Sequence, residues 1–122
     1  MTPSPEPAAE PDPRQASPAI PPLPNHVGEP PRSLTYIDGR TTTYKVLGEI
    51  TRIPPSNPGK ALYLQLLQFA DDDRKEIRLC YFMIAHRPRV RGKWVFGQFA
   101  PMIREEDFCY LIAEARKRGW IS

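Results

Sequence analysis

The stretch of sequence that decides the fold lies in the second half of the chain. It consists of four consecutive pieces: RKEIRLCYFMIA (74–85), HRPRVRGK (86–93), WVFGQFAPM (94–102) and IREEDFCYLIAEARKRG (103–119). The first piece is apolar on both alternating faces, which is typical of a central β-strand. Pro88 and Gly92 keep the cations of the second piece in a loop. The third piece alternates as a further strand, which Pro101 ends.

The fourth piece predicts an amphipathic helix. Its apolar residues recur at i, i+3, i+4 and i+7: Phe108, Leu111, Ile112 and Ala115. Such a stripe is the face that a helix packs against a core. Acidic residues at the start of the helix and basic residues at its end suit the helix dipole. Gly119 follows as the residue that ends the helix in a left-handed conformation.

Two more strands are predicted upstream of this stretch. TTTYKVLGEITRI (41–53) is rich in β-branched and aromatic residues, and simple alternation puts Tyr44, Val46, Gly48 and Ile50 on one face. ALYLQLLQF (61–69) follows between two turn signals, PPSNPG and the three consecutive aspartates at 71–73. The aspartates lack the later ligands that a calcium loop needs, so they are interpreted as a turn.

The N-terminal segment differs from the rest in composition. Eleven of the sixteen prolines lie in the first thirty-one residues, with almost no large apolar side chains. Such a segment buries too little surface to offset its ordering entropy. Residues 1–32 are therefore predicted to be a disordered, Pro-rich tail, and residues 33–122 a single domain. Within the tail, PAIPPLP (18–24) is either a plain spacer or a polyproline ligand for a protein partner with an aromatic groove.

Charge and cysteine content narrow the function classes. The formal net charge is +3, and residues 1–32 hold four acidic and two basic side chains, so the remainder carries +5. A basic domain suits a polyanionic partner. Cys80 and Cys109 have no Cys or His at metal-ligand spacing, so we expect neither a metal nor a cofactor. The longest apolar run, Leu79–Ala85, is too short to span a membrane, and a secretory signal is lacking. These features predict a cytoplasmic protein.

The predicted fold class is α+β: a four-stranded antiparallel sheet with one C-terminal helix packed on one face. The helix-facing residues would be Leu62, Leu64, Leu66, Ile77, Leu79, Tyr81, Val95 and Phe99. The open face would show Lys45, Tyr63, Gln65, Arg78, Phe82, Trp94 and Phe96. Aromatic rings beside cations can stack single-stranded bases while the phosphates are neutralised. The candidate nucleic-acid-binding residues are Lys45, Tyr63, Arg78, Arg87, Arg89, Arg91, Lys93, Trp94 and Phe96.

Three features carry a resemblance to a known family: Glu76-Ile77-Arg78 on the third strand, the loop ending in Gly92-Lys93, and the fourth strand leading to the helix. Over roughly Tyr44 to Lys117 the chain resembles the single-stranded DNA-binding domain of the transcriptional coactivator positive cofactor four. The resemblance implies a β-β-β-β-α homodimer that binds single strands on the sheet surface away from its helices. It also implies that Arg78 and Lys93 contact the nucleic acid. The chain departs from the family in a longer stretch before the helix and in its Pro-rich, acidic tail.

These observations favour a homodimeric module that binds single-stranded DNA or RNA and that would associate with a nucleoid or nucleus if it binds DNA. The alternative is a protein-interaction or assembly subunit that binds a partner through exposed aromatic and apolar residues. An enzyme is not predicted, because His86 has no visible Ser, Asp or Cys partner in the sequence. Salt separates the first two hypotheses, since only phosphate-driven binding weakens steeply with ionic strength.

Overall fold

A computed structural model describes residues 21–122 of the chain, and the expectations for residues 1–20 lie outside it. It contains five strands and one helix: β1 Arg32–Thr35, β2 Thr41–Arg52, β3 Lys60–Phe69, β4 Lys75–Ile84, β5 Trp94–Phe96 and α1 Glu105–Lys117. All strands pair with their sequence neighbours in one antiparallel sheet, in the order β1-β2-β3-β4-β5. The predicted α+β class is confirmed, with five strands instead of four.

The additional strand, β1, is joined to β2 by a tight turn at Asp38-Gly39. Gly39 adopts a φ of 93°, which L side chains rarely adopt. The Asp38 side chain accepts a hydrogen bond from the Arg40 backbone at 3.0 Å. This tight turn folds residues 32–35 back onto the start of β2, so Arg32 lies opposite Tyr44.

A β-bulge in β2 divides its side chains between the two faces of the sheet. The register against β3 shifts between Val46 and Gly48, so one extra residue, Leu47, separates them. Val46 therefore lies opposite Leu67, whereas Ile50 lies opposite Leu64. Since Leu64 and Leu67 point to opposite faces, the prediction that Tyr44, Val46, Gly48 and Ile50 share one face is wrong.

The helix α1 covers one of the two faces of the sheet, which we call the helix face. Leu111 and Ala115 are fully buried there against Leu62, Leu64 and Tyr81. The Trp120 ring, just beyond α1, lies over Gly48, where a Cβ would approach it to 2.7 Å. Glycine at this position lets the end of the chain pack closely on β2.

The buried stripe of α1 is shifted from the predicted one. Phe108 is 46% exposed, and Asp107 is buried beside it instead, with Leu111 and Ala115 one and two turns later. Asp107 is tolerated there because it accepts a hydrogen bond from Arg52 Nε at 3.0 Å. The helix thus has a carboxylate, not a phenyl ring, at the start of its packed face.

β5 is shorter than the predicted strand, which was expected to continue until Pro101. It ends at Phe96, and the next residue, Gly97, lies against the Tyr81 ring, where a Cβ would come within 2.2 Å of the ring. The chain then turns away from the sheet. Phe99, which was expected to meet the helix, is instead exposed. The Met102 carbonyl accepts a hydrogen bond from Lys60 Nζ at 2.8 Å on the way to α1.

The opposite face of the sheet holds two further apolar clusters. One combines Tyr44 and Val46 with Leu67 and Phe69. The other centres on Ala61, Tyr63 and Cys80. No helix in residues 21–122 is long and apolar enough to cross a membrane.

Candidate functional site

A segment that was assigned to the tail lies across the face opposite the helix. We call Pro21–His26 the strap and the surface beneath it the strap face. Trp94 Nε1 donates a hydrogen bond to the Pro21 carbonyl at 2.9 Å, and the Tyr63 hydroxyl donates one to the Pro24 carbonyl at 2.6 Å. Leu23 packs against the cluster around Tyr63. Residues of the strap, and Arg32 at the start of β1, therefore contact the sheet or form part of it, although the sequence assigned them to the tail.

The C-terminal end of the strap is anchored on Glu49. The carboxylate accepts the His26 backbone N–H at 3.0 Å, and its second oxygen lies 2.5 Å from His26 Nδ1. Gln65 Nε2 donates to the same second oxygen at 2.6 Å. The His26 ring also stacks on Phe82, with centroids 5.3 Å apart. Three donors thus satisfy a carboxylate that is largely removed from water, which the burial of a charge requires.

The strap changes the expected character of this face. Tyr63 and Gln65 were predicted to lie on an open surface, and both are buried. Burial, together with the nearby charge of Glu49, raises the pKa of the Tyr63 hydroxyl, which therefore acts as a neutral hydrogen-bond donor. Burial likewise raises the pKa of the Cys80 thiol. The prediction of an open face is wrong at its centre, because the chain covers that centre itself.

Beside the strap lies a pocket of about 340 Å³. Its walls include two arginines and three aromatic rings: Arg32, Arg78, Tyr44, Phe82 and Phe96. Arg78 donates from Nε to Gln65 Oε1 at 2.9 Å and from Nη1 to the Tyr44 hydroxyl at 3.2 Å. Its guanidinium forms no ion pair with a carboxylate of residues 21–122. This positive charge is therefore held in place by neutral partners beside an apolar wall.

The basic loop between β4 and β5 is exposed. It contains a single 3-10 turn, Pro88–Val90, and its cations Arg87, Arg89, Arg91 and Lys93 are all exposed. Within the described part of the chain none of these four forms an ion pair. Gly92 has a φ of 79°, which lets the loop close so that Ala85 N–H can bond the Lys93 carbonyl at 2.9 Å.

The structure brings together some of the predicted site residues and separates others. Arg78 and Phe96 line the same pocket, and the basic loop leads directly into β5. Trp94 lies on the strap face as predicted, but it is half-buried and bonded to the strap. Lys45 pairs with Gln68, which shares the helix face with Leu64. The bulge therefore moves Lys45 to the other side of the sheet, and its predicted place beside Tyr63 is wrong.

Several residues of this face were not predicted from the sequence. His26 and Glu49 form the anchor, while Arg32 and Tyr44 help to line the pocket. The one available signal was the PAIPPLP run, which was interpreted as a possible ligand for an aromatic groove; its residues 21–24 occupy such a groove on the same chain.

In residues 21–122 there is no cluster of three or more His, Cys, Asp or Glu that could hold a metal. Comparisons with family models, curated proteins and solved structures give no match to this chain.

Proposed function

We propose that this protein binds single-stranded nucleic acid, DNA or RNA, along the edge of the sheet formed by β5 and the basic loop. The observation that carries the proposal is the set of four exposed loop cations without ion-pair partners in the described residues. Exposed, unpaired cations on a loop contribute little to folding, and they are available to phosphates. The net positive charge of the chain acts in the same direction.

The neighbouring aromatic side chains supply the second element of such a site. Phe96 is 51% exposed and meets the Phe82 ring edge-on at 5.5 Å between centroids. A base can stack on the exposed side of Phe96, while Arg78 in the adjacent pocket offers a charge to a phosphate or a base edge. In this proposal Phe96 takes the stacking role that the sequence assigned to Trp94 and Tyr63, because the strap covers those two.

The resemblance to the positive cofactor four family supports the same assignment, with Arg78 and Lys93 as the residues it places at nucleic acid. A homodimer in the cytoplasm, or with a nucleoid or nucleus if DNA is bound, belongs to this proposal. The family binds on the sheet surface away from its helices. The site proposed here lies at the β5 edge of that surface, where the strap leaves side chains exposed.

Removing two loop cations should weaken binding to a labelled oligothymidylate for ionic reasons. For Arg89→Ala with Arg91→Ala, we expect the slope of log affinity against log salt to fall by roughly 0.7–1 unit per cation. Stability should change by about 0.5 kcal/mol or less per site, since both residues are exposed. Fluorescence anisotropy at several salt concentrations measures the slope.

The matched control removes two cations at the other end of the sheet, Arg40→Ala with Lys75→Ala; Arg40 follows the β1–β2 turn and Lys75 starts β4. Both double variants lose the same net charge. If the two weaken binding equally, the effect is one of overall charge and the loop is not the site. If the loop variant binds as well as the parent at every salt concentration, nucleic-acid binding by this loop is wrong.

Replacing the exposed phenyl ring should have a different signature. For Phe96→Ala we expect a loss of roughly 1–3 kcal/mol in single-strand affinity with an unchanged salt slope, because stacking is not ionic. The comparison variant is Phe99→Ala, which removes an exposed phenyl ring outside the sheet. An unchanged affinity for Phe96→Ala, or an equal loss for Phe99→Ala, would remove Phe96 from the site.

One observation favours the alternative of a protein-interaction subunit. Phe99 and Met102, in the segment between β5 and α1, are among the most exposed apolar side chains of the described residues. A contiguous patch of exposed apolar groups is characteristic of a partner-binding surface, and these two side chains are close enough in sequence to contribute to one. A partner bound there would hold its affinity as salt rises, whereas nucleic acid on the basic loop would lose it.

A further inference from the structure

The strap is held by its backbone carbonyls, a mode of contact that does not depend on most of its side chains. The two carbonyls that accept hydrogen bonds, those of Pro21 and Pro24, are three residues apart. Three residues make one turn of a polyproline II helix, so these carbonyls point to the same side of such a helix. Proline rings fix φ at three of the four positions 21–24, and Leu23 precedes a proline, which favours the same conformation.

The strap face supplies complementary groups in matching positions. Trp94 and Tyr63 provide an N–H and an O–H donor on aromatic bodies, and Phe82 lies beside Tyr63 with centroids 4.9 Å apart. Leu23 packs against the apolar cluster of Ala61, Tyr63 and Cys80. Aromatic rings with side-chain donors aimed at proline carbonyls are the means by which grooves recognise Pro-x-x-Pro segments.

Glu49 extends the contacts with the strap to His26, two residues beyond Pro24. Its carboxylate accepts both the backbone N–H and the ring nitrogen of His26. A carboxylate with little access to water selects a hydrogen-bond donor and disfavours an apolar or acidic side chain. The seated motif is therefore Pro-x-Leu-Pro-x-His.

We propose that the strap face is a recognition groove for a Pro-x-Leu-Pro-x-His segment of a partner protein, and that the strap is its resident competitor. The strap forms neither a helix nor a strand, so no ladder hydrogen bonds tie it to the sheet. Pro22 and Asn25, three residues apart in the strap, are exposed. The inference does not rest on nucleic-acid binding, because the basic loop contributes no group to these contacts.

Competition determines how such a groove behaves. A segment of the same chain is present at an effective concentration of roughly millimolar for a short linker. A partner segment with the same contacts therefore binds the parent chain weakly, and binds strongly once the strap is loosened. Weak binding by the parent and strong binding by a loosened chain is the signature of an occupied groove.

The test uses the full chain and a labelled synthetic peptide with the sequence of residues 18–27, PAIPPLPNHV. The strap is loosened by Leu23→Asp with His26→Ala, which removes the apolar anchor and the imidazole that bonds Glu49. We expect the apparent affinity for the peptide to rise at least tenfold over the parent, measured by fluorescence anisotropy. In that loosened background, Trp94→Phe and Tyr63→Phe should each reduce the affinity again, because each removes one donor. A peptide with the same leucine replaced by aspartate is the control.

The Cys80 thiol gives a second readout, in which protection by added peptide distinguishes a displaced strap from a poorly folded chain. Cys80 is buried in the cluster that Leu23 packs against, whereas Cys109 is exposed, so Cys109→Ser leaves one informative thiol. Alkylation of Cys80 by iodoacetamide should be slow in the parent and faster in the loosened chain. Added peptide should slow it again in the loosened chain, and millimolar peptide should leave it slow in the parent.

Three results would overturn the proposal. The loosened chain binds the peptide no better than the parent, or it binds the control peptide equally well, or the Trp94 and Tyr63 changes leave the affinity unaltered. A fourth result would assign the groove to a second copy of this chain instead: light scattering gives a dimer mass for the parent and a monomer mass for the loosened chain. Oligothymidylate binding, measured on the same variants, reports separately on the basic loop.

Discussion

Leu111→Ala is expected to lower the free energy of unfolding by about 2–5 kcal/mol. Leu111 is fully buried in the helix-face core, where it packs with Leu62, Leu64 and Tyr81. The loss combines the transfer free energy of the deleted methyl groups with the cost of the cavity they leave between helix and sheet. Urea unfolding followed by circular dichroism measures the change.

Phe108→Ala is the control for this prediction, because periodicity alone places both residues on one stripe. Phe108 is 46% exposed, so its loss should cost much less than that of Leu111. If the two variants are destabilised equally, the helix is rotated relative to the arrangement described. An effect below about 1 kcal/mol for Leu111→Ala would show that the helix does not pack on the sheet through this residue.

Asp107→Ala is expected to lower the free energy of unfolding by about 2–4 kcal/mol. Asp107 is 1% exposed, and its carboxylate pairs with Arg52 Nε at 3.0 Å. Breaking a fully buried pair costs about 3–5 kcal/mol, because the remaining charge is left uncompensated. The Arg52 side chain is 26% exposed, so water recovers part of that loss. Asp107 also lies in the first turn of α1, where a negative charge stabilises the helix dipole.

Two neighbouring changes test this explanation. Glu106→Ala removes an exposed carboxylate from the same turn of the helix and should cost about 0.5 kcal/mol or less. Asp107→Asn keeps an oxygen that can accept from Arg52, so its loss should lie between the two alanine variants. Equal effects of Glu106→Ala and Asp107→Ala would mean that the helix dipole, not the pair with Arg52, determines the role of Asp107.

The faces of β3 and β4 were predictable from the sequence, and those of β2 were not. Tyr63 and Leu64 point to opposite faces in the structure, as strict alternation requires. In β2 the bulge adds one residue between Val46 and Gly48, and every side chain after it changes face relative to those before it. Where a bulge forms depends on how β2 fits β3 and on the Trp120 ring above Gly48.

The candidate site likewise has one part that could be predicted from the sequence and one part that could not. The basic loop is predictable because Pro88, Gly92 and the cations between them are local features. The covering of the strap face could not be predicted in this way, because the composition of Pro21–His26 is also that of a solvated, free linker. The strap carbonyls accept hydrogen bonds because the folded sheet places Trp94 and Tyr63 beneath them.

By itself, the sequence determined the fold class, the central strands, the basic loop and the existence of the C-terminal helix. These follow from alternation, helical spacing and turn residues, which act over a few neighbouring positions. The tertiary structure alone decided the bulge, the buried Asp107 and the strap. Asp107 meets Arg52 across 55 positions of sequence, Tyr63 meets Pro24 across 39, and Trp94 meets Pro21 across 73. Local patterns do not encode such pairs, because each forms only when the folded sheet brings its two partners together.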